Sequence, residues 1–375
     1  MSIKTLSKKM LAIVAAGAMT MGLAMPTSVF AADVGTTTTE KEAYISKTFN
    51  TVVGKDEIFS FKAKPVTGNT AEVTIPSISF SDSDTGSTTK RAKVSFPKWP
   101  DAGKYEYTVT ETAATPAITG EHQKMIMSLA EYTMDVYVTN GDNGLQIANI
   151  IVNKTKDDKG TSATGKVDIT DTDKNGFNFT NTYAQEAGTG TDPTNPDPTY
   201  TDDGSLNVTK KINANGGTLD TKKAFDFTAT FTFPKGTDAS TLGGVKGADG
   251  NKISIGEDGT YKFTLTANGN MKFTGVPVGT QISVVESATP NYKGSAESVF
   301  NGQKQTPVEA SKYNMAFHVA NTLGQKQNKV DVTNTYDYVP TTGIIMNTLP
   351  YVLMIALCGA ALIAFVAFKR RRLQK

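Results

Sequence analysis

Short runs in which apolar and polar residues alternate fill much of the first half of the chain. Alternation with a period of two, in residues that are often β-branched or aromatic, is typical of β-strands, and no stripe with helical spacing accompanies it. Because about eight strands in a stretch of this length bury one face by packing sheet on sheet, we expect a β-sandwich. The runs are Ala43–Phe49, Ile58–Ala63, Val73–Phe80, Lys93–Phe96, Tyr105–Glu111, Tyr132–Val138, Ile147–Val152 and Phe177–Thr182.

A second block of the same character runs from residue 205 to residue 336, and the stretch between the two blocks differs from both. Residues 184–203 are rich in Thr, Gly and Asp and contain three prolines, which is the composition of a linker. We therefore predict an all-β fold with two tandem β-sandwich domains, residues 32–183 and 204–338, joined by this linker.

The N-terminal end of the sequence predicts export. Three lysines among the first nine residues precede an uncharged apolar stretch from Met10 to Met25, and small residues surround Ala31. We identify residues 1–31 as a secretory signal peptide that is cleaved after Ala31.

The last 37 residues, 339–375, combine three features in a fixed order. They begin with Val339-Pro340-Thr341-Thr342-Gly343, continue with an uncharged apolar run at 350–368, and end in a basic cluster of Lys369, Arg370, Arg371, Arg372 and Lys375. At about 1.5 Å per residue, the apolar run nearly matches a hydrocarbon core of roughly 30 Å, and the basic cluster would stay on the cytoplasmic side. The order resembles the cell-wall sorting signal of Gram-positive surface proteins, Leu-Pro-x-Thr-Gly followed by a membrane span and a basic tail.

This resemblance implies that a sortase cleaves after Thr342 and transfers its carbonyl group to an amine. The precursor would then be anchored in the membrane only transiently. Val339 stands where Leu is usual, which leaves open the class of sortase. A permanent single-pass anchor is the alternative; it explains the apolar run and the basic end but not the pentapeptide.

Charge and cysteine content exclude several function classes. The whole chain has 38 Lys and Arg against 36 Asp and Glu, but eight of the basic residues lie in the two end segments, so residues 32–342 are net acidic. No basic patch with interleaved aromatic residues indicates nucleic-acid binding. The only cysteine, Cys358, lies in the apolar C-terminal run, so disulfides cannot stabilise the exported domains.

Three polar residue types recur at matching places in the two blocks. Each block has a Lys in its first predicted strand, a Glu in a middle strand and an Asn in the last strand. Side chains two residues apart on a strand share a face, and by this parity all six residues point toward the apolar side of their strands. Because unpaired buried charges are strongly destabilising, we expect the three side chains of each domain to interact. The two sets are Lys47, Glu111 and Asn181, and Lys210, Glu286 and Asn334.

Two interpretations of these sets are open. Burial lowers the pKa of Lys and raises that of Glu, so a neutral amine could attack the Asn side-chain carbonyl. The Glu would act catalytically within the chain, donating a hydrogen bond to that oxygen and moving protons, and the products would be ammonia and a Lys-Asn isopeptide bond. The alternative is a Lys-Glu ion pair at a strand end with the Asn in a turn. The repetition of the set favours the isopeptide bond.

With these features, the whole chain resembles the streptococcal T-antigen-type major pilins, which sortases assemble from tandem immunoglobulin-like (CnaB-type) domains with self-formed isopeptide bonds. Residues 111–116 and 286–290 also look like the Glu-containing box of Gram-positive pilins. The resemblance implies a structural subunit, the backbone of a cell-wall-anchored surface pilus. Its partners would be a sortase, further copies of the chain, peptidoglycan, a tip adhesin and a basal pilin. A monomeric wall-anchored adhesin or stalk is one alternative, and an extracellular hydrolase is another.

The resemblance also implies a lysine that accepts the next subunit, located in the first domain a few residues before the bonding Asn. Lys174, seven residues before Asn181, fits this place and lies in a polar turn. For Lys174, a solvated surface lysine without a role is the alternative. Lys98, between Pro97 and Trp99, is the other candidate, because Lys beside Pro resembles the pilin motif of other pili.

Other sequence signals do not support a metal site or an enzyme. Residues 171–176 match the opening of an EF-hand loop, but Thr182 stands where such a loop ends in Glu. The two histidines, His122 and His318, are too few and too far apart in sequence for an ordinary zinc site. Residues 32–342 contain no cysteine nucleophile, no Gly-x-Ser-x-Gly motif and no phosphate loop. We predict no cofactor, no metal and no activity on an external substrate.

Overall fold

The computed structural model describes residues 40–66, 68–215, 218–336 and the single residue 354. The predicted signal peptide and, apart from residue 354, the predicted sorting signal at residues 339–375 lie outside the described residues. In the part of the chain that is described, no helix is both long and apolar enough to cross a membrane.

The described residues of the first domain form ten strands, and in strands such as β2 and β7 buried side chains alternate with exposed or half-buried ones. The strands are β1 (Tyr44–Thr51), β2 (Glu57–Pro65), β3 (Ile78–Phe80), β4 (Gly86–Lys93), β5 (Gly103–Thr115), β6 (Gln123–Ile126), β7 (Glu131–Gly141), β8 (Gly144–Lys156), β9 (Ser162–Lys166) and β10 (Asn178–Gln185).

These strands make two sheets with the orders β4-β1-β10-β6 and β3-β2-β5-β7-β8-β9. The first and last strands, β1 and β10, are parallel neighbours at the centre of the smaller sheet. Phe49 and Phe179 from this sheet pack edge-on against Phe59 and Tyr132 from the other, with ring centroids 5.2 Å apart in both pairs. All four rings are fully buried, so the core lies between the sheets.

A short helix, α1 (Thr199–Asp203), precedes the second domain, whose described residues also form ten strands. They are β11 (Leu206–Ala214), β12 (Phe225–Thr232), β13 (Thr260–Leu265), β14 (Asn270–Phe273), β15 (Gln281–Glu286), β16 (Tyr292–Phe300), β17 (Gln303–Lys304), β18 (Val308–Glu309), β19 (Phe317–Thr322) and β20 (Lys329–Tyr336).

The second domain repeats the plan of the first. One sheet has the order β14-β11-β20-β16-β17, with β18 also paired to β16, and the facing sheet has the order β13-β12-β15-β19. Its first and last strands, β11 and β20, are again parallel neighbours. A parallel pair cannot be closed by a hairpin, so in each domain the whole intervening chain connects the two central strands.

The predicted all-β fold with two tandem immunoglobulin-like sandwiches is confirmed. Some strand positions differ from the prediction. The strand expected at residues 93–96 lies earlier, as β4; the run at 73–80 is a strand only over β3; and β6 and β9 were not predicted. β4, β6 and β9 are edge strands whose side chains are exposed or half-buried, so they lack the alternation that marks strands with one buried face.

The segment predicted to be a linker, residues 184–203, packs against the second domain. The backbone N–H of Ala187 donates to Val276 O at 2.9 Å, and the N–H of Val278 donates to Gln185 O at 2.8 Å. The segment therefore has the Thr, Gly, Asp and Pro composition of a linker, but in this chain it forms an ordered joint between the two domains.

Glu186 is the central residue of this joint and is only 4 % exposed. Its carboxylate accepts hydrogen bonds from Tyr200 Oη at 2.6 Å, from Ser205 Oγ at 2.8 Å and from the backbone N–H of Gly275, and it contacts His122 Nδ1 at 2.7 Å. His122 belongs to the first domain, whereas Ser205 and Gly275 belong to the second. One buried, fully hydrogen-bonded carboxylate thus links the two domains.

A second buried carboxylate, Glu57 at the start of β2, predicts a pH dependence of stability. Glu57 is 1 % exposed, and within the described ranges neither of its oxygens has a hydrogen-bond partner. Burial raises its pKa from 4.5 to about 7, opposed by Lys55. Between these two values the unfolded chain loses this proton while the folded chain keeps it. The contribution of Glu57 to the stability of the folded chain should therefore become less favourable as the pH rises from about 4.5 to about 7, and should then level off.

Glu57→Gln, which stays neutral at every pH, should remove this loss of stability at higher pH. Since one pKa unit corresponds to about 1.4 kcal/mol, we expect the variant to be about 1–3 kcal/mol more stable than the wild type at pH 8 and similar to it at pH 4.5. Thermal unfolding at both pH values measures the difference, with the exposed Glu121→Gln as the control. An equal effect of Glu57→Gln at both pH values would contradict the prediction.

Candidate functional site

In the first domain, strand register brings Lys47 and Asn181 together. Along the parallel pair β1 and β10, Lys47 lies opposite Phe179, and Phe49 lies opposite Asn181. Lys47 and Asn181 are therefore diagonal neighbours that share the face toward the core. Glu111 reaches the same point from β5 in the facing sheet.

These three side chains form one hydrogen-bonded cluster. Lys47 Nζ donates to Glu111 Oε1 at 2.8 Å and to Oε2 at 2.9 Å, and Asn181 Nδ2 donates to Glu111 Oε1 at 2.8 Å. The side chains of Lys47 and Glu111 are 0 % exposed, and Asn181 is also fully buried. The carboxyl group of Glu111 thus bridges an amine and an amide nitrogen out of contact with solvent.

The second domain contains the same cluster in the same register. Lys210 lies opposite Val332 on β20, and Ile212 lies opposite Asn334. Glu286 comes from the end of β15 in the facing sheet. Lys210 Nζ donates to Glu286 Oε2 at 2.9 Å, and Asn334 Nδ2 donates to Glu286 Oε1. Lys210, Glu286 and Asn334 are all buried.

Burial changes the ionisation of these groups. Lys47 Nζ lies 4.2 Å from the centroid of the Phe59 ring, and Lys210 Nζ lies 3.9 Å from that of Phe225. Burial lowers the pKa of each lysine to about 8, although the neighbouring carboxylate opposes this change. Burial likewise raises the pKa of the partner glutamate in each cluster. Both shifts favour a neutral amine beside a neutral carboxylic acid, the form in which the amine is a nucleophile.

The orientation of the Asn181 amide differs from the prediction. We predicted that the glutamate contacts the carbonyl oxygen of the asparagine. Instead, Glu111 contacts the amide nitrogen, and Asn181 Oδ1 accepts a hydrogen bond from the backbone N–H of Ser128 at 2.7 Å. A backbone N–H can only donate, so this contact fixes which end of the amide faces Glu111. The sequence carries no signal for Ser128, because its donor is a backbone group that every residue except proline has.

The two candidate joining lysines, Lys174 and Lys98, are both exposed. Lys174 lies in the turn before β10, next to Asn175, whose Nδ2 donates to Tyr44 O at 2.9 Å. This contact places the turn at the N-terminal ends of β1 and β10. Lys98 lines a surface groove of about 480 Å³.

The EF-hand-like stretch has a different set of contacts. Arg91 pairs with Asp171 at 3.7 Å and with Asp173, so the guanidinium group of this arginine faces both carboxylates. Within the described residues, no group of three or more His, Cys, Asp or Glu side chains is arranged to hold a metal ion. The predicted sortase motif, Val339 to Gly343, lies outside them.

Comparison with known protein families bears on both domains. Residues 43–184 match the family model of the Spy0128-like isopeptide containing domain (FctA), and residues 204–336 match a domain of unknown function (DUF7601). No curated protein is similar enough in sequence to match the chain.

Several solved structures are similar at low identity. The major pilin of Streptococcus pyogenes is 20 % identical over 79 % of this chain and 99 % of that chain, with a TM-score of 0.31. The major pilin T3.2 of S. pyogenes is 19 % identical over 80 % and 99 %, with a TM-score of 0.30. A pilus-presented adhesin, Spy0125 (Cpa), is 12 % identical over 80 % and 100 %, with a TM-score of 0.26.

TM-scores of this size add nothing to the assignment, which rests on the family match of residues 43–184 and on the cluster that these residues contain. The first domain, residues 43–184, belongs to the Spy0128-like isopeptide containing domain family.

Proposed function

We propose that the chain is the backbone subunit of a covalent surface pilus and that each of its domains carries a self-formed isopeptide bond, Lys47–Asn181 in the first and Lys210–Asn334 in the second. The observation that supports this most strongly is the repetition of one buried Lys-Glu-Asn cluster on corresponding strands of both domains. A second cluster of the same composition, register and burial is not expected from an ordinary ion pair, which has no need of an asparagine.

The geometry suggests how the atoms move. The neutral Nζ of the lysine attacks Cγ of the asparagine, and a tetrahedral intermediate forms. The Nζ–Cγ bond forms, the Cγ–Nδ2 bond breaks, and ammonia leaves. The carboxyl group of Glu111 or Glu286 lies between the attacking and the leaving nitrogen, so it can take the proton from Nζ and return it to Nδ2. The product amide has no ionisable amine, so the buried lysine nitrogen can no longer become charged in the core.

Strand direction supports head-to-tail assembly through Lys174. The Lys174 turn lies at the N-terminal end of β10, and the other end of β10 faces the second domain through Gln185. β20 is parallel to β11, which begins at this joint, so β20 runs away from the first domain and ends at Tyr336. The chain then continues to the predicted sortase motif. Lys174 and Thr342 would therefore lie toward opposite ends of the subunit, as a chain of identical subunits requires.

In this proposal a sortase joins the carbonyl of Thr342 to Lys174 of the next subunit, with Lys98 as the alternative acceptor, or to peptidoglycan at the base. The precursor is exported, transiently anchored in the membrane and then displayed at the cell surface. A tip adhesin and a basal pilin are the further expected partners. The glutamates serve only the internal reaction, since a fully buried carboxyl group cannot reach an external substrate.

Peptide mapping by mass spectrometry tests the proposed bonds. Digestion of residues 32–342 should release branched peptides in which Lys47 is joined to Asn181 and Lys210 to Asn334, each one ammonia lighter than its two parts. Linear peptides carrying all four residues unmodified would refute the isopeptide proposal.

A further inference from the structure

The Asn181 carbonyl oxygen already has a hydrogen-bond donor in the first domain. Ser128 N–H donates to Asn181 Oδ1 at 2.7 Å, and both residues are buried. When an amine attacks the amide carbon, negative charge develops on this oxygen. A fixed N–H directed at the oxygen in a site without water stabilises that charge more than bulk water does.

Asp158 holds the Ser128 segment in place. Ser128 Oγ donates to Asp158 Oδ1 at 2.6 Å, and the same oxygen accepts the backbone N–H of Thr180 at 2.8 Å. The backbone N–H of Leu129 donates to Asp158 O at 3.0 Å. Thr180 directly precedes Asn181 on β10. One carboxylate oxygen therefore connects the segment that supplies the N–H donor to the strand that supplies the acceptor.

The described residues of the second domain provide no corresponding donor to the asparagine carbonyl oxygen. Asn334 Oδ1 is buried, and among the described residues it has no hydrogen-bond partner. Its amide nitrogen nevertheless contacts Glu286 just as that of Asn181 contacts Glu111. The two clusters thus share the proton-transfer carboxyl group and differ in the environment of the carbonyl oxygen.

We propose that the backbone N–H of Ser128 is an oxyanion donor for closure of the Lys47–Asn181 bond, and that Asp158 is the positioning residue that keeps it on Asn181 Oδ1. The inference rests on the proposed isopeptide chemistry and adds a component to it. As Lys47 Nζ bonds to Cγ, Oδ1 becomes negatively charged and is stabilised by the Ser128 N–H. The charge returns to form the carbonyl when Nδ2 leaves as ammonia with the proton delivered by Glu111.

The test measures both bonds in the same molecule. Residues 32–342 are made by cell-free synthesis, quenched in acid at successive times and mapped by mass spectrometry for the two branched peptides. The sharpest variant replaces the amide between residues 127 and 128 by an ester, which removes the N–H of residue 128 and leaves every side chain unchanged. We expect the Lys47–Asn181 bond to form about 100-fold more slowly, as for the loss of one oxyanion donor in an enzyme. The Lys210–Asn334 bond should keep its rate and serve as the internal control.

Two side-chain variants examine Asp158 independently of the ester. Asp158→Ala removes both acceptor contacts and should slow the first bond by about 10-fold or more, because the N–H is no longer held on its target. Asp158→Asn keeps an acceptor oxygen and should restore the rate to within a few-fold of the wild type. A role limited to overall folding would slow both bonds together.

Different results of these experiments would contradict this inference and the proposed function. If the ester variant closes the Lys47–Asn181 bond at the wild-type rate, Ser128 is not an oxyanion donor. If Asp158→Asn is as slow as Asp158→Ala, the positioning role is wrong and the charge itself matters. If the wild type forms neither bond, the isopeptide proposal itself is wrong, and Ser128 has no such reaction to assist.

Discussion

The double variant Glu111→Ala, Glu286→Ala is expected to keep the full calculated mass of residues 32–342, whereas the wild type should be lighter by two ammonia molecules. Without the carboxyl group, nothing takes the proton from the lysine or returns it to the leaving nitrogen. Each single variant should be lighter than its calculated mass by one ammonia, because the two clusters lie in separate cores.

The same variants should be much less stable. Each proposed bond would close a loop on the order of 100 residues, for which the chain-entropy model of a cross-link gives about 4–5 kcal/mol. Since 1 kcal/mol shifts the melting temperature of a domain of this size by about 2–8 °C, we expect each lost bond to lower it by roughly 10–30 °C. Removing the carboxyl group also leaves a buried lysine unpaired, which adds to the loss.

Calorimetry together with intact-mass measurement checks this expectation. Glu111→Gln and Glu286→Gln are the matched controls, because glutamine fills the same space but cannot shuttle a proton, so they separate loss of the bond from loss of packing. Glu106→Ala, on the half-exposed face of β5, controls for a simple change of charge. Two lost ammonia molecules in the double alanine variant would show that the glutamates are not needed for the bonds.

In the proposed assembly, Lys174→Arg is expected to abolish the ladder of covalent multimers that the wild-type chain would form with its sortase. Arginine keeps the positive charge in the turn, but its guanidinium group stays protonated and does not attack an acyl-enzyme. The fold should be unaffected, because Lys174 is exposed and its turn is held by other groups, including Asn175. The measurement is denaturing gel electrophoresis of the full chain co-expressed with the sortase.

Lys98→Arg is the matched control, because Lys98 is equally an exposed lysine of the first domain and should leave the ladder intact. A ladder that persists in Lys174→Arg and disappears in Lys98→Arg would assign the joining role to Lys98. A wild type that is anchored to the wall but forms only monomers would instead support the adhesin or stalk alternative.

Much of the candidate site could be predicted from strand parity. Lys47 shares its face with Ile45 and Phe49, and Asn181 shares its face with Phe177 and Phe179, all of which are buried. Period-two geometry therefore identifies which polar residues point into a sandwich before any contact is known. Strand parity does not show that the buried Lys, Glu and Asn contact one another. The recurrence of the same three residue types in both blocks indicated that they do.

The remaining features of the site depend on contacts that a linear pattern does not carry. The amide orientation of Asn181 is fixed by a backbone N–H 53 residues away, from a loop with no motif. The edge strand β4 has few buried side chains and therefore little alternation. Composition predicted a linker at residues 184–203. In the structure this segment is an ordered joint, because Glu186 contacts residues from both domains.

The joint has a mechanical consequence for an assembled fibre. A pull applied at Lys174 would run along β10, cross the joint to Lys210, pass through the proposed bond to Asn334 and leave through the C-terminal end of β20. The folded segments outside this path would carry almost no load. Neither proposed bond shortens the backbone between Lys174 and Lys210, and hydrogen bonds to the second domain and Glu186 keep the part of it after Asn181 compact. That part would therefore act as the extensible element of each subunit, lengthening under a strong pull and re-forming its contacts when the tension is released.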